Sequence, residues 1–496
     1  MDTALEFGMT RPAFVGGSKQ HLIGGRWQAA VSGREFDTFN PANGKAIARL
    51  ALGDAADIDK AVAAARAAFE GPWSTWTPYD RQRLLLRVLD VIEKHADELA
   101  LIETLDMGAP LTRTRGLAAW ISQVILFYAS QTAAGSVSTP QNSLPGHITT
   151  LSHKAPIGVV GGIIPWNGPL MSMWWTIGPT LATGCTAVLK PAEDASLSTL
   201  RVAELLLEAG VPDGVINVVT GYGADAGAPL AAHPGVDRIA FTGSVVTARK
   251  IVEASAGNFK RMQLELGGKS PDIVFADANL DLAVPAAAMG VFGNSGQMCV
   301  AGTRLFVQRG IQDEFLERLQ AFSKTMKVGS GLDPSVNLGP LISSNQLERV
   351  MGYVDIGSKE GATLATGGKR LGGALADGYF IEPTVFSGVN NNMTIAREEI
   401  FGPVISVIPF DGIDDALRLA NDTQFGLAGG VWTQNLSTAH KMSQGIKAGT
   451  IWVNCYGILD PNVGFGGIKM SGYGWKATSE HVEGFLYRKA VYMNVA

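Results

Sequence analysis

Apolar positions in the first 130 residues recur at helical spacing after a short β region. Ile58, Val62, Ala65 and Phe69 share one face, and a second amphipathic stretch runs from Asp80 to about Leu99. From Pro156 the period changes. Strand-like runs at 157–164 (IGVVGGII), 186–190 (TAVLK), 215–220 (VINVVT) and 238–243 (RIAFTG) alternate with helical stretches such as 196–210 (SLSTLRVAELLLEAG). Short continuous apolar runs are what strands buried on both faces look like, and their alternation with helices predicts βαβ units on a parallel sheet. The rhythm then restarts, with strands expected at 271–276, 304–308, 404–410 and 450–454. Two successive α/β blocks predict two α/β domains with a cleft between them, and ELGGKSP (265–271), rich in turn-forming residues, is the expected crossing point. Two strand-like segments stand outside the rhythm, HITTLSHK (147–154) and FLYRKAVYMNV (485–495). Exposed strands leave open edges, so pairing with a partner subunit is expected there.

The chain's 496 residues are enough for two or more domains with full cores. Only 17% of residues are charged while 46% are hydrophobic, which excludes a disordered chain. A net charge of -5 supplies no basic footprint, so nucleic acid is not an expected partner. Between Arg115 and Lys190 the only charged residue is Lys154, but Gly, Pro, Ser, Thr, Asn and Gln break the segment too often for a membrane span. It reads as buried core. The beginning MDTALEFGMT carries acids and no apolar run, against a secretory signal. Cys185, Cys299 and Cys455 are odd in number and far apart, fitting neither a disulfide framework nor a metal site, so a reducing cytoplasm is expected. The seven histidines show no ligand spacing, and no metal is expected; His147, His153 and His481 read as surface or interface residues.

The chain has no G-x-G-x-x-G. The glycines Gly221, Gly223 and Gly227 are spaced one residue too widely for that fingerprint and by themselves read as an ordinary strand-to-helix turn. In FTGS, Gly243 and Ser244 follow a strand and open a helix, where free N–H groups suit a phosphate and a serine equally suits a simple N-cap; these residues alone leave both open. Cys185, inside LATGCTAVL, reads as an inert core thiol. Cys299 differs, because Gly293, Asn294, Ser295, Gly296 and Gln297 lead into it and backbone N–H groups of such a loop can favour a thiolate or an oxyanion. Glu265 in ELGG is a carboxylate beside flexible backbone, and Asn167 in PWN is an amide donor at a strand end. Taken singly they read as a salt-bridge partner and a turn residue. Taken together with Cys299 they form a nucleophile, a base and an oxyanion donor.

PWN (165–167), KPAE (190–193), FTGS (241–244), ELGGKSP (265–271), GQMC (296–299), EEIFGPV (398–404) and GFGGIKMSGYG (464–474) stand in the order and near the spacings of the NAD(P)-dependent aldehyde dehydrogenase superfamily, which the chain resembles over nearly its whole length. The resemblance implies an α/β fold in three parts: a Rossmann-like NAD-binding domain (1–134 and 155–265), an α/β catalytic domain (266–465) and a small β oligomerisation arm (135–154 and 483–496), assembling as a homotetramer or homodimer. It implies Cys299 as nucleophile, Glu265 as general base, and Asn167 with the Cys299 N–H as oxyanion donors. Trp166 and Ser244 would meet the cofactor pyrophosphate, Lys190 and Glu193 the adenine-side ribose, and Glu399 and Phe401 the nicotinamide side. Ile164, Pro165, Gly223, Gly227, Phe241, Thr242, Gly243, Leu266 and Gln346 complete the implied cofactor contacts.

Glu265 argues for water as acyl acceptor, since relatives that acylate coenzyme A commonly lack that carboxylate, and the intact Cys299, Glu265, Asn167 and Glu399 argue against a non-catalytic reuse of the fold, as in lens-type relatives. Glu193 favours NAD over NADP, because a carboxylate accepts bonds from ribose hydroxyls and repels a 2′-phosphate. Two departures stand out: Ala248 replaces a frequent glycine, and Trp475-Lys476 replaces a frequent Arg-Glu, expected to alter only local C-terminal salt bridges. The resemblance places Gly168, Ser172, Gly293 and Gly457 near the pocket entrance, where many relatives carry larger side chains, and with Trp175, Met298, Val300, Leu459 and Phe465 this implies a wide apolar pocket without an Arg or Lys in these segments. The substrate expected is a bulky aromatic or cyclic aldehyde; the alternative is a small aliphatic one.

Overall fold

The computed structural model describes residues 6–133, 139–140 and 144–496. Residues 135–138 and 141–143 of the expected arm lie outside the described residues.

Five parallel strands, Arg261–Glu265, Arg238–Thr242, Val159–Ile164, Thr186–Pro191 and Ile216–Val218, lie side by side in that order at the centre of an eight-stranded sheet. Val159–Ile164 starts the series. The chain moves outward from it through the next two strands, then crosses back to lay Arg238–Thr242 on its other side, so the strand order reverses at Val159–Ile164. In open α/β sheets such a reversal leaves a crevice at the carboxyl ends of the strands, and here those ends are Ile164, Pro191, beside Lys190, and Thr242. His21–Ile23 and Arg26–Gln28 close one side antiparallel, and Gly472–Tyr473 closes the other, opposite Leu264 and Glu265.

The chain leaves this sheet at Glu265 and enters a seven-stranded one at Pro271. That sheet runs Thr363–Thr366, Thr384–Ser387, Val404–Phe410, Arg304–Gln308, Pro271–Val274, Ala428–Trp432, Thr450–Val453, parallel except for its first strand. The two sheets carry separate apolar cores, one around Trp174, Leu189 and Val160, the other around Phe306, Phe386 and Phe410.

The helix expected from Asp80 to Leu99 is two. Thr77 and Asp80 form a capping box for Pro78–Lys94, the helix stops at His95, and Ala96–Met107 follows. The segments outside the rhythm pair with each other: Leu486–Asn494 runs antiparallel to Ile148–Pro156, from Leu486 opposite Pro156 to Asn494 opposite Ile148. His147 and His153 are exposed, as the sequence reading has them, but His481 is not a surface residue. It is 1% exposed, its Nδ1 bonded to the Tyr128 hydroxyl at 2.8 Å and its Nε2 to Gln263 Oε1 at 3.0 Å, and burial drives its pKa well down, so it is a neutral core imidazole. Among the described residues no helix is long and apolar enough to cross a membrane.

Candidate active site

The helix Leu280–Phe292 ends at Gly293, and the next three residues, Asn294, Ser295 and Gly296, all take left-handed backbone angles with φ of 51°, 55° and 76°. Non-glycine residues there cost about 1–3 kcal/mol each, so the reversal persists only because its surroundings hold it. Ser295 Oγ donates to the Gly339 carbonyl at 2.7 Å, Asn294 Nδ2 to the Asn167 carbonyl at 3.0 Å, and Gln297 Oε1 accepts from the Ile342 N–H at 2.9 Å. A Cβ on Gly296 would lie 2.0 Å from the Gly402 carbonyl, so GQMC is pressed directly onto EEIFGPV. Asn167 Nδ2 donates to the Gln297 carbonyl at 2.9 Å, which uses one of its two protons and ties PWN to the same loop.

Glu265 ends its strand 1% exposed, and neither carboxylate oxygen accepts a hydrogen bond among the described residues. Burial pushes it up to about 7, with Lys476 opposing. Beyond it, the Gly268 N–H donates to Glu399 Oε1 at 3.0 Å, and a Cβ on Gly268 would lie 2.4 Å from the Cys299 carbonyl oxygen. The glycines of ELGG therefore serve as contact surface for Glu399 and the Cys299 loop. Burial holds Glu399 above the usual carboxylate range, against that N–H.

The loop N–H of Cys299 does favour the thiolate, but burial first and Glu265 second outweigh it and push the thiol up to about 12. Cys185 is fully buried, its thiol directed to the Phe485 carbonyl at 3.3 Å.

Asn167, Glu265 and Cys299 line one cavity of about 510 Å³. Trp175 dominates its wall, stacked on Phe465 (centroids 5.8 Å, planes 18° apart) and met edge-on by Trp120 at 5.8 Å. Ser172, Gly293, Met298, Val300, Gly457 and Leu459 are on the wall as expected. Gly168 is not; it is buried, and a Cβ there would meet only the Met171 methyl at 3.9 Å. The helix Leu111–Ser130 contributes Arg113, Gly116, Leu117 and Trp120, none of which carries a local sequence signal for a pocket. Arg113 is exposed and has no hydrogen bond or ion pair from its side chain among the described residues. Lys476 overturns an expectation: it faces this cavity, not a C-terminal salt bridge, because the Gly472–Tyr473 pairing carries the chain back alongside Glu265. The cavity is walled largely by apolar side chains but holds two cations, Arg113 and Lys476.

At the sheet crevice Lys190 Nζ pairs with Glu193 Oε2 at 3.0 Å, the lysine 3% and the glutamate 35% exposed. Gly223 has nothing within 4 Å of a built Cβ and Gly227 only the Lys190 chain at 3.8 Å, leaving open space beside that pair. Ser244 caps the helix Val245–Ser255, accepting from the Thr247 N–H at 3.2 Å. Trp166 meets Phe401 edge-on at 5.2 Å, which ties the crevice to the segment leading into Val404–Phe410, where Gln346 Nε2 donates to the Phe401 carbonyl at 2.8 Å. Ile164, Phe241 and Leu266 are buried beneath it.

Residues 27–491 match the family model described as the aldehyde dehydrogenase family. The chain belongs to the aldehyde dehydrogenase family. A benzaldehyde dehydrogenase of Antirrhinum majus is 45% identical over 473 residues, covering 95% of this chain and 88% of that protein. An NAD+ complex of an aldehyde dehydrogenase from Bacillus cereus superimposes with a TM-score of 0.94 at 42% identity, covering 97% of each chain. A betaine aldehyde dehydrogenase from Staphylococcus aureus, also with NAD+, gives 0.94 at 37% identity, covering 96% of this chain and 94% of that one. This aldehyde dehydrogenase is thus an NAD(P)-binding oxidoreductase acting on an aldehyde. Its crevice fits a dinucleotide: a carboxylate stands at the strand ends, open space adjoins it at Gly223 and Gly227, and a helix begins at Ser244.

Proposed function

We propose that the enzyme oxidises a bulky apolar aldehyde, aromatic or cyclic, to its carboxylic acid, with Cys299 as nucleophile, Glu265 as base and Asn167 as oxyanion donor. The observation that carries this reading is that all three line one cavity walled by Trp120, Trp175 and Phe465. The Cys299 thiol loses its proton to solvent and the sulfur adds to the aldehyde carbon. The free N–H of Asn167 and the Cys299 backbone N–H steady the oxyanion, a donor of this kind being worth roughly 3–4 kcal/mol. Bound nicotinamide supplies the hydride acceptor. Glu265 then takes a proton from water, whose oxygen adds to the thioester carbon, and the proton passes to the Cys299 sulfur as the C–S bond breaks.

Residues 155–265 with 1–134 would hold the cofactor, 266–465 the nucleophile, and 135–154 with 483–496 would join subunits as a tetramer or dimer. Trp166, Ser244, Lys190 and Glu193 would hold the dinucleotide on its adenosine side, and Glu399 and Phe401 on its nicotinamide side. NAD is the preferred form: Glu193 is partly exposed and Lys190, which could otherwise attract a 2′-phosphate, is spent on it. Glu193→Ser should narrow the kcat/KM ratio of NAD to NADP; an unchanged ratio would remove Glu193 from that role. The free cysteines suit a reducing, cytoplasmic setting.

An aromatic ring in place of a methyl adds roughly 100 Å² of buried apolar area, or about 2.5 kcal/mol at 25 cal/mol per Å². kcat/KM for benzaldehyde-like or phenylacetaldehyde-like substrates should therefore exceed that for acetaldehyde about tenfold or more, read as NADH absorbance across an aldehyde panel. A preference for acetaldehyde over every bulky aldehyde would sink the reading. Arg113 favours a second reading, in which the ring carries an anionic substituent; 4-carboxybenzaldehyde in the same panel separates the two.

A further inference from the structure

Lys476 is 5% exposed in the wall of the reaction cavity, and lysines are rarely buried so deeply without a partner. Its Nζ donates to Thr242 Oγ1 at 3.0 Å, 234 residues away in sequence, and lies 4.2 Å over the Trp175 ring. Neither contact neutralises it. Among the described residues the only carboxylate within ion-pairing distance is Glu265, at 3.9 Å from Oε2. Glu265 in turn has no hydrogen-bond donor, so the ammonium is the group that answers its charge. The arrangement is rigid: Lys476 and Phe465 exchange backbone hydrogen bonds of 2.7 and 2.9 Å, and Gly472 lies opposite Glu265 in the sheet. Beside Lys476 a void of about 10 Å³ carries Ser172, Thr176, Thr242 and Gln263 among apolar neighbours, space for a single water on the remaining N–H.

We propose that Lys476 is a positioning residue for the hydrolytic half of the reaction: its charge keeps Glu265 a carboxylate, held towards the cavity and able to take a proton from water where the surroundings are too dry to ionise it unaided. This rests on Glu265 being the general base. The other titratable groups at this corner do not replace the lysine. Cys299 is an acid that Lys476 also favours in its ionised form, Glu399 faces Cys299 with the opposite effect, and His481 is neutral. Burial raises Glu265 and Lys476 is the charge opposing that rise.

The test is steady-state kcat from about pH 6 to about pH 10 for Lys476→Met and Lys476→Arg, each normalised by its NADH burst amplitude, which counts folded, acylating sites. The acidic limb of the Met variant should move up by about one to three pH units, with a loss of tenfold or more at neutral pH that recovers in alkali. The Arg variant should keep the wild-type limb. A Met limb that coincides with wild type, or a loss equal at every pH, overturns the proposal. If the Met variant gives no burst, an Arg limb displaced upward overturns it and an Arg limb in place supports it. Glu265→Gln separates the two readings: a burst followed by a dead steady state upholds Glu265 as base whatever Lys476 does, and an unaffected steady state removes the base itself.

Discussion

Adding one methyl group at Gly268 should slow acylation by about a hundredfold without unfolding the protein. The Cβ of Gly268→Ala would stand 2.4 Å from the Cys299 carbonyl oxygen, and ordinary contact begins at 3.4 Å, so one backbone must retreat by about 1 Å. Neither has an easy way to do so. Gly268 is held by its N–H bond to Glu399, and the Cys299 loop is backed against the Gly402 carbonyl at Gly296. Displacing a nucleophile by about 1 Å costs roughly a hundredfold in rate, equivalent to about 2.7 kcal/mol of barrier. Overpacking of this kind also costs about 1–3 kcal/mol of stability. The assay is the stopped-flow NADH burst at saturating aldehyde and cofactor, with a thermal melt on the same sample. Gly267→Ala is the contrast, because its Cβ would meet Glu399 Oε2 at 2.2 Å, the end of a side chain that can rotate, so its cost should fall on cofactor KM. A folded Gly268→Ala protein with a wild-type burst rate would refute the idea that this contact sets the position of the nucleophile.

Cys299→Ala should abolish turnover while leaving cofactor binding and the melt near wild type, whereas Cys185→Ala should keep turnover; equal losses in the two would overturn the assignment of the nucleophile. Gly116→Phe should shift preference towards small aldehydes, since Gly116 lines the cavity and nothing lies within 4 Å of a Cβ built there; an unchanged acetaldehyde-to-benzaldehyde ratio of kcat/KM would contradict this. Burial pushes Glu103 up to about 8, against the Leu170 N–H it accepts at 3.1 Å. An acid raised above its unfolded value of about 4.3 binds its proton more tightly when folded, so its contribution is complete below about pH 4 and is lost progressively up to about pH 8, a few kcal/mol in all. Glu103→Gln, which retains the acceptor, should flatten the fall of Tm between about pH 5 and pH 8. A slope identical to wild type would show that Glu103 is ionised throughout.

The elements legible in the sequence were those whose cause is local. Val159–Ile164, Thr186–Pro191, Arg304–Gln308 and Val404–Phe410 read as strands because a strand buried on both faces is largely apolar, and the Cys299 loop stood out because glycine and asparagine, which enter the left-handed region most readily, gather at its turn. Ala428–Trp432 did not, since two of its five residues are glycines with no apolar side chain to show burial. The cavity wall on Leu111–Ser130 and the reach of Lys476 to Thr242 and Glu265 were beyond any local pattern. A lysine after GYG has the same composition whether it faces solvent or a base. Its placement was decided by the antiparallel pairing of Gly472–Tyr473 with Arg261–Glu265, and burial there, not residue type, gives both charges their altered acidity. Sequence patterns record which groups are available and which backbone turns are affordable; distance between remote segments, and hence dielectric and charge pairing, exists only once the sheets are assembled.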